Sequence, residues 1–132
     1  MQTGDHASHP EIWFRASPHV SFADLEERIG TGTLTASLRL GRRDSSHAKG
    51  YAPGQKVTLR LFDNNGHESL LHQIQVLEVE TKPLDSLTHK DFEALQVYHS
   101  VSEVRSDLSF FEKQLIAPQE EVSLVTFRYL SP

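Results

Sequence analysis

Gly32-Thr33-Leu34-Thr35-Ala36-Ser37-Leu38-Arg39-Leu40 is the stretch on which the fold turns. Leu34, Ala36, Leu38 and Leu40 alternate with Thr35, Ser37 and Arg39. A period of two belongs to a strand with one apolar and one polar face. The spacing predicts the apolar side chains inward and Thr35, Ser37 and Arg39 together on the other face. Two hydroxyls and a guanidinium on one rigid strand suit a phosphate or a base edge.

Upstream, Ser21 to Ile29 reads as a helix capped by Ser21, with Phe22, Leu25 and Ile29 on one face and Gly30 or Gly32 as its stop. Before it lie polar residues and a candidate first strand, Glu11 to Arg15. Downstream, a polar loop over 41–55 leads to the alternating strand Lys56 to Phe62. Asp63-Asn64-Asn65-Gly66 predicts a hairpin turn with Asn-Gly at positive φ. Residues 68–80 return as a strand anchored by Leu70, Ile74, Val76 and Val79, ended by Pro83. Thr88 caps a short helix over 90–96. Ser100-x-x-Glu103 forms a capping box for a helix to about Lys113. Glu121 to Leu130 is a closing strand.

The order β-α-β-β-β-α-α-β predicts an α+β fold, a small mixed β-barrel with helices packed outside. Residues 1–20 read as an N-terminal polar segment carrying the candidate strand, and 21–132 as the domain. The expected core is Leu25, Ile29, Leu34, Leu38, Val57, Leu59, Ile74, Val76, Leu108, Phe111, Val125 and Phe127.

The chain has 132 residues, about one domain's length, and no cysteine. That excludes a disulfide framework, thiolate metal sites and a Cys nucleophile. No apolar run approaches the ~18 residues of a membrane helix, and no secretory signal is visible, so a cytoplasmic protein with no membrane partner is expected. The eight histidines contain no HExxH, and His67 and His72 lack a partner ligand, so neither a metal site nor a cofactor is expected. No Gly-x-Ser-x-Gly elbow or phosphate P-loop is present. The net charge is −5, unevenly spread: residues 29–62 carry +5, and the segments on either side are acidic. A basic block inside an acidic chain suggests a local anion site, with Arg39, Arg42, Arg43 and Lys49 as its cations and Tyr51 as a stacking ring.

Gly32-x-x-Thr35-x-Ser37-x-Arg39 resembles the Gly-x-Lys-Thr-x-Thr-x-Arg signature of the ASCH domain, a PUA-like β-barrel. Pro53-Gly54-Gln55 is similar to the family's Pro-Gly-Asp, and Leu84-Asp85-Ser86-Leu87-Thr88 to its Leu-x-x-Leu-Thr. The resemblance spans about residues 21–130. It implies a barrel that binds RNA, single-stranded nucleic acid or a nucleoside or nucleotide in the cleft between barrel and helices. Some small bacterial members are amidohydrolases acting on 4-acetylcytidine through a lysine, a threonine and a glutamate. The lysine position falls on Leu34, the threonine on Ser37 and the glutamate near Leu95, with Glu93 two residues away. Leucine can neither take a proton nor hold an oxyanion.

The expected function is therefore RNA or nucleotide binding through Thr35, Ser37, Arg39, Arg42, Arg43, Lys49 and Tyr51. One alternative is a divergent hydrolase, an acetylcytidine amidohydrolase or a ribonuclease, with Ser37, Glu93 and Lys49 as catalytic residues. The other is a protein-interaction domain, favoured by the acidic helices.

Overall fold

The alternating stretch becomes an edge of a curled sheet. The computed structural model describes residues 10–43 and 50–130. Its strands are β1 (Glu11–Phe14), β2 (Ala36–Leu40), β3 (Lys56–Phe62), β4 (Glu68–Pro83) and β5 (Glu121–Tyr129), in the sheet order β1-β3-β4-β5-β2. β1 runs parallel to β3, and every other pairing is antiparallel. The sheet curls into a half-barrel, so β1 and β2 face each other across an open seam. Three helices accompany it: α1 (Phe22–Gly30), α2 (His89–Leu95) and α3 (Val101–Glu112), with a 3-10 turn at Leu84–Ser86. The expected α+β barrel with external helices is the architecture found, open along one side.

β1 belongs to this sheet rather than to a segment preceding it. Ile12 pairs with Leu59 and is as deeply buried in the same core. The folded unit thus begins before residue 21. Residues 1–9 lie outside the described part of the chain.

Local chemistry sets the element ends. Ser21 Oγ accepts from the Asp24 N–H at 3.1 Å, capping α1. Thr88 and Asp91 form a reciprocal capping box on α2. At α3, Ser100 Oγ accepts from Glu103 N–H, but the Glu103 carboxylate accepts from His99 N–H, one residue earlier than a capping box would have it. The β3–β4 hairpin is longer than an Asn-Gly turn. Asp63 brackets it, its carboxylate accepting from the Asn65 and His67 N–H groups. Within this hairpin only Gly66, with φ +82°, takes the left-handed conformation. A bulge between Val76 and Glu78 switches the phase of β4, so that Leu77 turns outward and Val79 rejoins the face of Val76. This is why the apolar anchors step from Val76 to Val79 instead of keeping strict alternation.

The concave face is covered throughout, and the convex face is covered where β2 and β5 lie. The concave face holds Val57, Leu59, Leu61, Ile74, Val76, Val125 and Phe127, joined by Leu25 and Ile29 of α1. The convex face of β2 and β5 presents Ala36, Leu38, Leu124 and Val122 to α2 and α3, through Leu95, Val104 and Leu108. Among the expected core residues, Leu38 and Phe111 are only half-buried. Both line the cleft described next.

Candidate functional site

Ser37 and Arg39 share a face of β2, as alternation requires, but that face is not the solvent side. Arg39 pairs in register with Ser123, and Ser37 with Val125, on the concave side of β5. The polar positions of β2 therefore point into the mouth of the half-barrel. There they meet a cleft of about 930 Å³ between the β1 and β2 edges, the segment 95–98 and the face of α3.

Arg39 reaches across the seam. Its Nη2 donates to the Trp13 carbonyl of β1 at 2.7 Å, and its guanidinium carbon lies 5.7 Å from the Phe14 ring centre. No carboxylate pairs with it among the described residues. Burial pulls its pKa down and the nearby charge of Arg43 adds to this, while the phenols of Tyr51 and Tyr98 oppose it. The guanidinium stays charged, because arginine does not lose its proton in proteins.

Arg43 lines the same cleft. Its Nε donates to the Leu40 carbonyl at 3.2 Å, and its backbone N–H donates to Ser123 Oγ at 2.9 Å. Tyr51 is buried, and its hydroxyl donates to the Glu11 carbonyl at 2.8 Å, fastening the loop to β1. Burial raises its phenol pKa against the pull of Arg39 and Arg43. Ser37 is 2 % exposed, and its hydroxyl has no hydrogen-bond partner among the described residues. Two guanidiniums and an idle hydroxyl thus gather in the cleft.

The cleft also holds a second polar group, built on Asp107 and Ser17, which nothing in the sequence singles out, and on Tyr98, a candidate stacking ring. Asp107 of α3 is 1 % exposed. Its Oδ2 accepts from the Ser17 and Tyr98 hydroxyls, the latter at 2.8 Å, and its Oδ1 accepts from the His19 N–H at 3.2 Å. Burial raises the Tyr98 pKa and the bond to Asp107 raises it further, so the phenol keeps its proton. Arg15 lies over the Phe111 ring at 4.9 Å, and Trp13 packs on Phe62 with ring centres 4.9 Å apart. These contacts join segments far apart in the chain, and no local spacing announces them.

The remaining candidates fall elsewhere. Thr35 is not at the cleft: its N–H donates to the Ala94 carbonyl, and its carbonyl accepts from Phe127 N–H. Arg42 is exposed and outside the cleft lining. Lys49, offered both as a cation and as a catalytic residue, lies outside the described residues. Glu93 is exposed on α2, 3.4 Å from His89, and does not line the cleft. Leu34 and Leu95, which occupy the positions of the amidohydrolase lysine and glutamate, do line it. Those two positions are buried and apolar here. Ser37 accordingly has no basic side chain bonded to its hydroxyl among the described residues. The basic block also disperses: Arg60 pairs with Glu11 at 2.9 Å and with Glu68, on the outer face of β3. No three metal-ligating side chains gather among the described residues.

No family model matches the chain, and no curated protein matches it. Solved structures do. Protein EF3133 from Enterococcus faecalis V583, described with the family model DUF984, superposes with a TM-score of 0.67 at 15% identity, covering 92% of this chain and 80% of that one. An ASCH domain from Lactobacillus crispatus JV V101 superposes with a TM-score of 0.56 at 9% identity, covering 98% and 86%. The fold is ASCH-like. At these identities the likeness concerns architecture alone, and the ASCH-like barrel leaves the chemistry of the cleft to this chain's own residues. No helix among the described residues is long and apolar enough to cross a membrane.

Proposed function

We propose that this ASCH-like domain binds a nucleotide, free or as the end of a short RNA, with its phosphate on Arg39 and Arg43. The observation that carries the reading is a partly buried guanidinium, Arg39, with no carboxylate partner among the described residues and a second guanidinium beside it. Two like charges held together in a half-buried cleft repel each other and lose hydration, so an anion bound between them relieves both costs. The idle Ser37 hydroxyl, two residues before Arg39 on the same face, supplies a further donor to a phosphate oxygen. The cleft volume of about 930 Å³ lies within the range of about 300–1,000 Å³ typical of small-ligand sites. Phe14, Phe62, Trp13 and Phe111 add apolar and aromatic wall against which a ring can lie.

The net charge of −5 favours a small ligand over a long duplex, whose phosphates the outer field repels. Isothermal titration with AMP and with adenosine tests the reading. AMP is expected to bind and adenosine to bind at least 10-fold more weakly, since charge-assisted hydrogen bonds to phosphate contribute about 1.5–3 kcal/mol each. Arg43→Ala is expected to shrink that difference, since Arg39 remains. Equal affinities for the two ligands, or AMP binding unchanged by Arg43→Ala, would overturn it.

A further inference from the structure

The proposed nucleotide site contains a second polar cluster, and its hydrogen-bond polarity is fixed. Ser17 and Tyr98 both line the cleft, and both give their hydroxyl hydrogen to the same oxygen, Oδ2 of Asp107. A carboxylate can only accept, so neither hydroxyl can turn its hydrogen toward a ligand without abandoning a buried bond. What each offers to the cleft is an oxygen lone pair. Because both are bonded to one atom, the two oxygens lie side by side. Every group that holds the Asp107 carboxyl among the described residues is a donor, so its oxygens stand as acceptors directly behind the two hydroxyls. Its other oxygen is held by the His19 backbone N–H, which fixes the orientation of the carboxyl group. Arg39 and Arg43, in the same cleft, offer only donors.

We infer that the Ser17–Tyr98–Asp107 cluster is a specificity subsite that accepts hydrogen bonds from a ligand's donor pair, while Arg39 and Arg43 hold its anionic group. The inference rests on the nucleotide reading above and assigns the ligand's other end. In a nucleotide, the chemistry required is two neighbouring N–H or O–H hydrogens. The ribose cis-diol has it, and so does an exocyclic amino group. A carbonyl or bare ring nitrogen presented there would meet two lone pairs and a carboxylate, and would be rejected. Asp107 is a positioning residue in this scheme, since it acts through the two hydroxyls.

Substitution of Asp107 by asparagine inverts the subsite with almost no change of shape. The amide oxygen must stay on the His19 N–H, because an amide nitrogen there would oppose donor to donor. The Nδ2 group then faces Ser17 and Tyr98 and donates to both. Their hydrogens are released into the cleft, and two acceptors become two donors.

The test is calorimetric titration of AMP, 2′,3′-dideoxy-AMP and purine riboside 5′-monophosphate against the wild-type chain, Asp107→Asn and Tyr98→Phe. For the wild type, removal of the group that uses the subsite should weaken binding about 3- to 10-fold, the worth of one or two neutral hydrogen bonds. Loss with the dideoxy analogue assigns the diol, and loss with the purine riboside assigns the amino group. In Asp107→Asn the difference should vanish or reverse. In Tyr98→Phe it should shrink while AMP still binds, a readout independent of whether the asparagine variant folds. If all three ligands bind the wild type equally, the subsite is refuted and the phosphate reading stands. If the difference survives unchanged in Asp107→Asn or in Tyr98→Phe, the polarity argument is refuted. If AMP does not bind at all, both readings fall together.

Discussion

Replacing Arg39 by methionine separates a binding role from a structural one. Methionine keeps the unbranched apolar stem and removes the guanidinium. On the loss side stand the charged hydrogen bond to the Trp13 carbonyl at 2.7 Å, about 1.5–3 kcal/mol, and the contact with Phe14, about 0.5–1 kcal/mol. On the gain side stands the removal of a partly buried charge that has no carboxylate partner among the described residues and feels the like charge of Arg43. The penalty on such an uncompensated ion is several kcal/mol, and apolar replacement of buried charges is often neutral or stabilising. The Trp13 carbonyl belongs to an edge strand lining an open cleft, where water can take the place of the lost donor. The two sides nearly cancel, so Arg39→Met should leave stability within about 1 kcal/mol of wild type, or a change of under about 5 °C in Tm for a domain of this size. AMP binding should be abolished in the same protein. Thermal unfolding followed by circular dichroism, beside a titration, reads both. A fall of about 10 °C or more would refute the reasoning, because it would make Arg39 chiefly a clasp across the seam.

The remaining expectations are simpler. Phe127→Ala removes a ring that is 1 % exposed at the centre of the concave core, and should cost about 3–5 kcal/mol in urea unfolding. Gly66→Ala meets no atom within 4 Å of the added carbon, so its cost is backbone strain at φ +82° alone, about 1–2 kcal/mol in the same assay. Lys82 and Asp91 pair at 2.6 Å between β4 and α2. Burial opposes charge on both, but the contacts between them win: the Asp91 pKa is held below its ordinary 3.8 and that of Lys82 above its ordinary 10.5. Their contribution is therefore intact between about pH 5 and pH 10, lost as pH falls through the depressed Asp91 value, and lost again as it rises through the elevated Lys82 value. Denaturation midpoints across pH check this, and Asp91→Asn should flatten the acid limb.

Much of the architecture is legible along the chain because it is local. The order of strands and helices follows from periodicity, from Ser21, Thr88 and Ser100 at helix starts, and from the turn at Asp63–Gly66. Less legible is what depends on closure of the sheet. Nothing in Glu11–Phe14 says that it pairs parallel to β3, which places it opposite β2 and turns the face of Ser37 and Arg39 from solvent to cleft. The bulge at Leu77 is visible only as a three-residue step between valines. At the site, Arg39 and Ser37 could be found from alternation, and Arg43 and Tyr51 from the basic block beside them. Thr35 could not be excluded without knowing that its backbone bridges Ala94 and Phe127. Ser17, Tyr98 and Asp107 come from three separate segments, and a buried aspartate on an amphipathic helix reads in sequence as one more acid of a solvated face.

The measurement that bears most directly on the central claim is an AMP titration of the ¹⁵N-labelled chain followed by amide and arginine side-chain resonances. The account predicts saturable shifts at Ser37, Arg39, Arg43, Tyr51, Tyr98 and Ser17, with the Arg39 and Arg43 Nε signals moving together. Saturable shifts confined to the outer surface around Arg60 or Lys56, or no shift at millimolar AMP, would contradict it.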